Sequence, residues 1–156
     1  MLTAQDKYIL VHMIPDFDSK GNLPAGGPYE VSWQQFELHF GYNDKRKKLL
    51  KGLHDALEHL KEAGCRRVFI DGSFITFRKH PADWDACWLI DNVDFEKLDP
   101  LIIDESFHHE KRKRRYLGDL FLHSPRLPGG NWVRRFQIDK NGNKKGILVI
   151  DLENFS

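Results

Sequence analysis

Little in this chain points away from an ordinary folded domain, and each scarcity excludes something. Only two cysteines, Cys65 and Cys87, occur in 156 residues. That rules out a secreted disulfide framework, and each sits in an apolar strand context that suits a small buried residue. No run of about 18 apolar residues is present, so no membrane-spanning helix and no membrane partner are expected. The N-terminus lacks the charged, apolar and small-residue order of a signal peptide, and the expected location is the cytoplasm. Neither sign of charge dominates, with 24 Lys+Arg against 23 Asp+Glu. Any attraction to nucleic acid must therefore come from a local patch. Repeats and low-complexity linkers are missing too. The length fits one domain over residues 1–156 with an N-terminal arm over about 1–30, large enough to bury roughly two thirds of its unfolded surface.

What is present is an alternation of helical and strand signals. Residues 2–13 suit a short strand or extended arm, and Pro15 to Pro28 is turn-rich and should run over the surface. Ser32 with Gln35 three residues on forms a capping box for a short helix through Phe40, ended by Gly41. The clearest element is a second helix capped by Asn43 or Asp44. Leu49, Leu50, Leu53, Ala56, Leu57 and Leu60 form one stripe along it, the opposite face is charged, and Gly64 stops it. Strands are expected from Cys65 to Asp71, Trp84 to Ile90, Gly118 to His123 and Ile147 to Leu152. Asp94 suits the cap of a short helix before Pro100, and Asp104 the mouth of another. Trp132 to Ile138 fits either a short helix or half of a hairpin turning at Lys140-Asn141-Gly142-Asn143.

The chemistry concentrates in Val68-Phe69-Ile70-Asp71-Gly72-Ser73 and, nine residues further, Asp83-Trp84-Asp85. Residues i and i+2 of a strand share a face, so Asp83 and Asp85 present their oxygens together while Trp84 turns away. Two carboxylates so placed repel unless a cation lies between them. Magnesium takes oxygen ligands of this kind and commonly keeps a substrate phosphate as another. The Gly-Ser turn just upstream would grip that phosphate.

Gly72-Ser73, the gap and Asp83-Trp84-Asp85 resemble the signature of the DNA polymerase beta-like nucleotidyltransferase superfamily, particularly its minimal bacterial members. Ile14-Pro15-Asp16-Phe17, Gly21-Asn22-Leu23-Pro24, Ala63-Gly64-Cys65-Arg66-Arg67-Val68 and Lys145-Gly146-Ile147-Leu148-Val149-Ile150-Asp151-Leu152 are similar to a small bacterial group of nucleotidyltransferase-like proteins. The resemblance implies an α/β (α+β) fold, a small mixed sheet backed by helices. It implies transfer of a nucleoside monophosphate from a nucleoside triphosphate to a hydroxyl on RNA, such as tRNA, or on protein, with Mg2+ or Mn2+ as cofactor. Asp83 and Asp85 would be metal ligands and Asp119 the third, catalytic carboxylate, with Asp151 in reserve. Gly72 and Ser73 would hold the phosphates, joined by Arg78 and Lys79 of the intervening loop. By analogy, a toxin–antitoxin or phage-defence partner is implied. The chain departs from the pattern in lacking an Arg-rich segment right after Gly-Ser and in placing Trp84 between the aspartates.

Plainer readings stand beside these. Asp71 suits a hydrogen bond to the loop backbone, and Trp84 and Trp88 suit packing rather than base stacking. The basic run Lys111-Arg112-Lys113-Arg114-Arg115 reads either as a solvated helix face or as a contact for nucleotide or RNA phosphates. His108 and His109 have no companion acids or cysteines at metal-ligand spacing. The alternatives to an enzyme are a non-catalytic nucleotide- or partner-binding module of the same fold and an RNA-binding protein built on the basic run.

Overall fold

A computed structural model describes residues 14–155 together with Met1, Thr3 and Ala4. Most of the expected arm at 2–13 lies outside the described residues. Five strands form one mixed sheet: β1 (Tyr29–Val31), β2 (Arg67–Asp71), β3 (Trp84–Leu89), β4 (Gly118–His123) and β5 (Leu148–Asp151), in the order β1-β5-β2-β3-β4. β2 is antiparallel to β3 and β5, while β1 with β5 and β3 with β4 run parallel. The α+β class read from the sequence is the one observed. β1 was not expected, since three residues after Gly26-Gly27-Pro28 carry almost no periodic signal.

Helix α1 (Trp33–Phe40) starts on the expected capping box. The Gln35 backbone N–H donates to Ser32 Oγ at 3.1 Å, and the Ser32 N–H donates to Gln35 Oε1 at 2.6 Å. Helix α2 (Asp44–Glu62) starts at Asn43, whose side chain accepts from the Arg46 N–H at 2.9 Å. Its Leu49, Leu50, Leu53, Ala56, Leu57 and Leu60 are all buried. Arg46 is buried as well. Its guanidinium donates to the carbonyls of Phe40 at 3.3 Å, Phe74 at 2.7 Å, Thr76 at 3.1 Å and Arg78. A buried cation is costly unless saturated. Arg46 meets most of that demand through its two terminal nitrogens, fixing the loop after Ser73, with its charge over the Phe74 ring at 4.9 Å and its Nε left without a partner among the described residues.

Helix α3 (Glu110–Tyr116) leads into β4, and α4 (Trp132–Phe136) follows it. The ambiguity at 132–138 resolves as helix first and turn second. After α4 the chain turns at Asp139, which accepts from the N–H groups of Asn141 and Asn143, and a single bridge joins Ile138 to Lys144. Register assigns the faces. Val68 pairs with Trp88, and Ile70 with Ala86. This face, which includes fully buried Trp84, lies on the α2 side: Trp84 Nε1 donates to the Tyr116 carbonyl at 3.0 Å, and Gly52 of α2 lies against that same carbonyl. On the opposite face Phe69, Cys87 and Phe121 form an apolar row, covered by Trp132 stacked on Phe121 at 4.1 Å and by Phe136. Both cysteines are buried, and burial pushes the Cys65 thiol up to about 12. Among the described residues no helix is long and apolar enough to cross a membrane.

Candidate functional site

One step beyond the apolar row, the same face carries a row of carboxylates. Asp71 of β2 pairs in register with Asp85 of β3, and Asp85 pairs with Asp119 of β4. Directly paired residues of neighbouring strands share a face, so three acids stand side by side, with Asp83 two residues before Asp85 completing the cluster. Asp151, the reserve ligand, is elsewhere. It pairs with Arg67 at the other end of β2 and caps the last turn, accepting from the Glu153 N–H at 2.9 Å. The topology therefore separates it from the carboxylate row.

The acids differ in how their charge is met. Asp71 hydrogen-bonds the Gly72 backbone, as its place before the turn predicts, and also receives the Lys145 ammonium, a partner that no local pattern indicates. Asp119 is buried and heavily engaged. Its Oδ1 accepts from Arg112 at 3.0 Å and from the Leu120 N–H at 2.8 Å, and it meets His109 Nδ1 at 2.9 Å. Asp83 and Asp85 have no hydrogen bond or ion pair among the described residues. Burial, with Asp83, Asp71 and Asp119 adding like charge, raises the Asp85 carboxyl from an ordinary 3.8 to about 7, and Lys113 opposes this only in part. The uncompensated pair is thus the Asp-x-Asp that the sequence singled out.

Gly72 brings the turn onto this pair. Its φ of +85° is left-handed, and a Cβ there would lie 2.6 Å from Asp85 Oδ2, so a side chain is excluded both by the dihedral and by the carboxylate. Ser73 opens a short 3-10 turn and is half-buried; its carbonyl accepts from Thr76 N–H and Oγ1, while its hydroxyl has no partner among the described residues. The Arg78 and Lys79 side chains are exposed, and it is their backbone carbonyls that are tied down, by Arg46 and by Asn43 Nδ2 at 2.8 Å.

The basic run divides. Lys111, Lys113, Arg114 and Arg115 are exposed on α3, with Lys113 Nζ 4.0 Å from Asp119 Oδ2 and Arg115 3.4 Å from Asp55. Arg112 is 1% exposed, donating to Leu101 and Leu120 carbonyls as well as Asp119. It is a structural cation and not a surface contact for phosphate. His109 meets two acids, Asp119 on Nδ1 and Glu105 at 2.7 Å on Nε2, which pair with the imidazole without forming a metal-ligating group among the described residues. The Glu105 to His109 spacing of four was the available signal. Asp104 accepts from the Ser106 N–H at 2.8 Å, one residue before the N-cap position of a 3-10 turn that starts at Ser106, rather than capping a helix, and Trp84 and Trp88 are core.

A hard divalent cation suits two bare carboxylates beside a buried charge deficit. Asp83 and Asp85 are the residues that would hold it, and Asp119 could join only by exchanging Arg112 and His109. Among the described residues no group of three His, Cys, Asp or Glu side chains is arranged to hold a metal ion. Two cavities of about 550 Å3 open on the surface, one between α1 and α2, the other beside α4, and neither is lined by Gly72, Ser73, Asp83 or Asp85. Comparison with curated proteins and with solved structures gave no match. The family model that does match covers residues 15–151, nearly all of the chain and the whole carboxylate row, and the chain belongs to that family, the family of unknown function DUF6932.

Proposed function

We propose that this chain is a magnesium- or manganese-dependent nucleotidyltransferase of the DNA polymerase beta-like superfamily, acting in the cytoplasm on a hydroxyl of RNA or protein. The observation that carries the reading is the close approach of Gly72 to the Asp85 carboxylate, where the Cβ of any side chain would lie 2.6 Å from Asp85 Oδ2. It sets a phosphate-gripping turn directly on an uncompensated acid pair. When bound, the divalent ion supplies charge neutralisation at the reacting phosphate and a lowered pKa for the acceptor hydroxyl. Asp83 and Asp85 hold that ion. The Ser73 hydroxyl, without a partner among the described residues, and the backbone N–H groups around Gly72 hold the β and γ phosphates, and Lys113 adds positive charge at the Asp119 side.

Ser73→Ala is expected to weaken triphosphate binding by one charge-assisted hydrogen bond, about 1.5 to 3 kcal/mol by calorimetry. Gly72→Val should weaken it further and also lower thermal stability, because the left-handed dihedral and the Asp85 contact both have to change. Unchanged affinity in Gly72→Val would leave the turn with a purely structural role. The reaction itself is tested by incubating the protein with each radiolabelled triphosphate, magnesium or manganese, and a cell extract. Label entering RNA or protein is the expected result. Tight metal-dependent binding without transfer for any triphosphate overturns the enzymatic reading.

One observation favours a second reading, a nucleotide-binding module without transfer. The third carboxylate, Asp119, is ion-paired with Arg112 and hydrogen-bonded to His109 within the chain itself. A partner protein of the toxin–antitoxin or phage-defence kind would fit either version by analogy.

A further inference from the structure

Between the turn at Gly26 and Gly27 and helix α4 the surface opens into a cavity of about 550 Å3. Its wall carries three cations, Arg134, Lys144 and Lys145, and no carboxylate, although positive and negative residues in the chain balance at 24 to 23. Arg134 and Lys144 are exposed, and neither side chain has an ion pair among the described residues. Lys145 is more enclosed, 16% exposed, with its ammonium on Asp71 of the carboxylate row. Val133 and Ile138 add apolar surface, and Ile138 is 45% exposed despite its size.

The volume falls within the range of small-molecule sites, roughly 300 to 1,000 Å3, which pair an apolar lining with a few convergent polar groups. Three cations on one wall suit an anion carrying more than one charge and several acceptor oxygens, which is the chemistry of a phosphate group. We propose that this cavity binds a phosphate-bearing small molecule of about mononucleotide size. Its phosphate is met by Arg134, Lys144 and Lys145, and its organic body lies on Val133 and Ile138. Because Lys145 also serves Asp71, the bound phosphate and the carboxylate row share one cation. The assignment does not depend on the transfer reaction proposed above.

The test is calorimetry with AMP and with inorganic pyrophosphate, in EDTA at about 0.1 M salt, where surface charges are screened beyond about 10 Å. EDTA keeps the Asp83 and Asp85 pair out of phosphate binding, so a failure here is distinct from a failure of the transferase reading. The expected result is saturable binding at one site, weakened about tenfold or more by Arg134→Ser with Lys144→Ser, which corresponds to about 1.4 kcal/mol. Both residues are exposed, and an unchanged thermal midpoint checks that the fold survives. Asp83→Ala with Asp85→Ala should keep the affinity. Amide shifts on titration should centre on Gly26, Gly27 and Gln137. AMP bound more tightly than pyrophosphate supports an organic body on Val133 and Ile138, whereas pyrophosphate bound as tightly as AMP or more so would assign the site to free phosphate and overturn the proposal. Absence of saturable binding, undiminished affinity in the Arg134 and Lys144 variant, or shifts centred on Gly72 and Ser73 would overturn it.

Discussion

Asp85→Asn is expected to stabilise the metal-free protein at pH 8 and, in the same variant, to remove the metal-dependent triphosphate binding proposed for the wild type. Asp85 titrates near 7 in the fold against an ordinary 3.8, chiefly through burial and then through Asp83, Asp71 and Asp119. Between roughly pH 4 and 7 the folded chain holds a proton that the unfolded chain has released, so stability falls as pH rises through that window and is lowest above it. At about 1.4 kcal/mol per unit, a fully expressed shift amounts to about 4 kcal/mol, and partial solvent access brings the expected gain to roughly 2 to 4 kcal/mol at pH 8. At pH 5 folded Asp85 is protonated while the unfolded residue is still ionised, so the gain should shrink to roughly two fifths of its pH 8 value, vanishing only below about pH 4. Urea unfolding at the two pH values measures this directly. The same difference between variant and wild type at pH 5 and pH 8 would show that Asp85 is not the strained charge. Magnesium with triphosphate should raise the wild-type midpoint at pH 8 by mass action and leave Asp85→Asn unmoved. Charge that destabilises the fold and is needed by a ligand is the usual mark of a site held for function and not for stability.

How much of this was legible in sequence depended on how local the determining contacts are. The caps of α1 and α2 involve residues three apart, and Ser32, Gln35 and Asn43 act as their positions predict. The leucine stripe of α2 and the limits of β4 at Gly118 and His123 were likewise written in short-range pattern. Asp83 and Asp85 needed only the strand period of two. The choice between Asp119 and Asp151 was beyond local reasoning, because both adjoin apolar strand residues, and only the parallel pairing of β4 with β3 puts Asp119 beside Asp85. Arg112 looks like its four basic neighbours until the chain folds, when helix phase turns it inward to Asp119 and leaves the others in water. Lys145 lies 74 residues from Asp71, and no spacing rule links them. The missed residues are therefore the counter-charges. Carboxylates in strands are visible one at a time, whereas the cations that neutralise some of them arrive from distant elements, and that decides which acids stay uncompensated.

Asp119→Asn separates an enzyme from a binding module. Asparagine keeps the shape and an acceptor oxygen for Arg112 and the Leu120 N–H but loses the charge facing Arg112 and His109. Leaving a guanidinium that is 1% exposed without its counter-ion should lower stability. Full removal of a buried partner costs about 3 to 5 kcal/mol. The retained hydrogen bonds reduce this to roughly 1 to 3 kcal/mol. If the chain transfers nucleotides, Asp119 has to leave Arg112 and complete the second metal position during turnover. The variant should then bind triphosphate within a few-fold of wild type while losing nearly all transfer, on the order of a thousandfold or more, since the acceptor hydroxyl is no longer activated. If Asp119 serves only Arg112 and His109, stability should fall by the same amount while binding, and any transfer present, stay at wild-type levels. Arg112→Lys provides the control, because it disturbs the same buried pair without removing the carboxylate. A fall in transfer confined to Asp119→Asn places this acid in the chemistry, whereas equal falls in both variants, tracking their unfolding midpoints, place it in the scaffold.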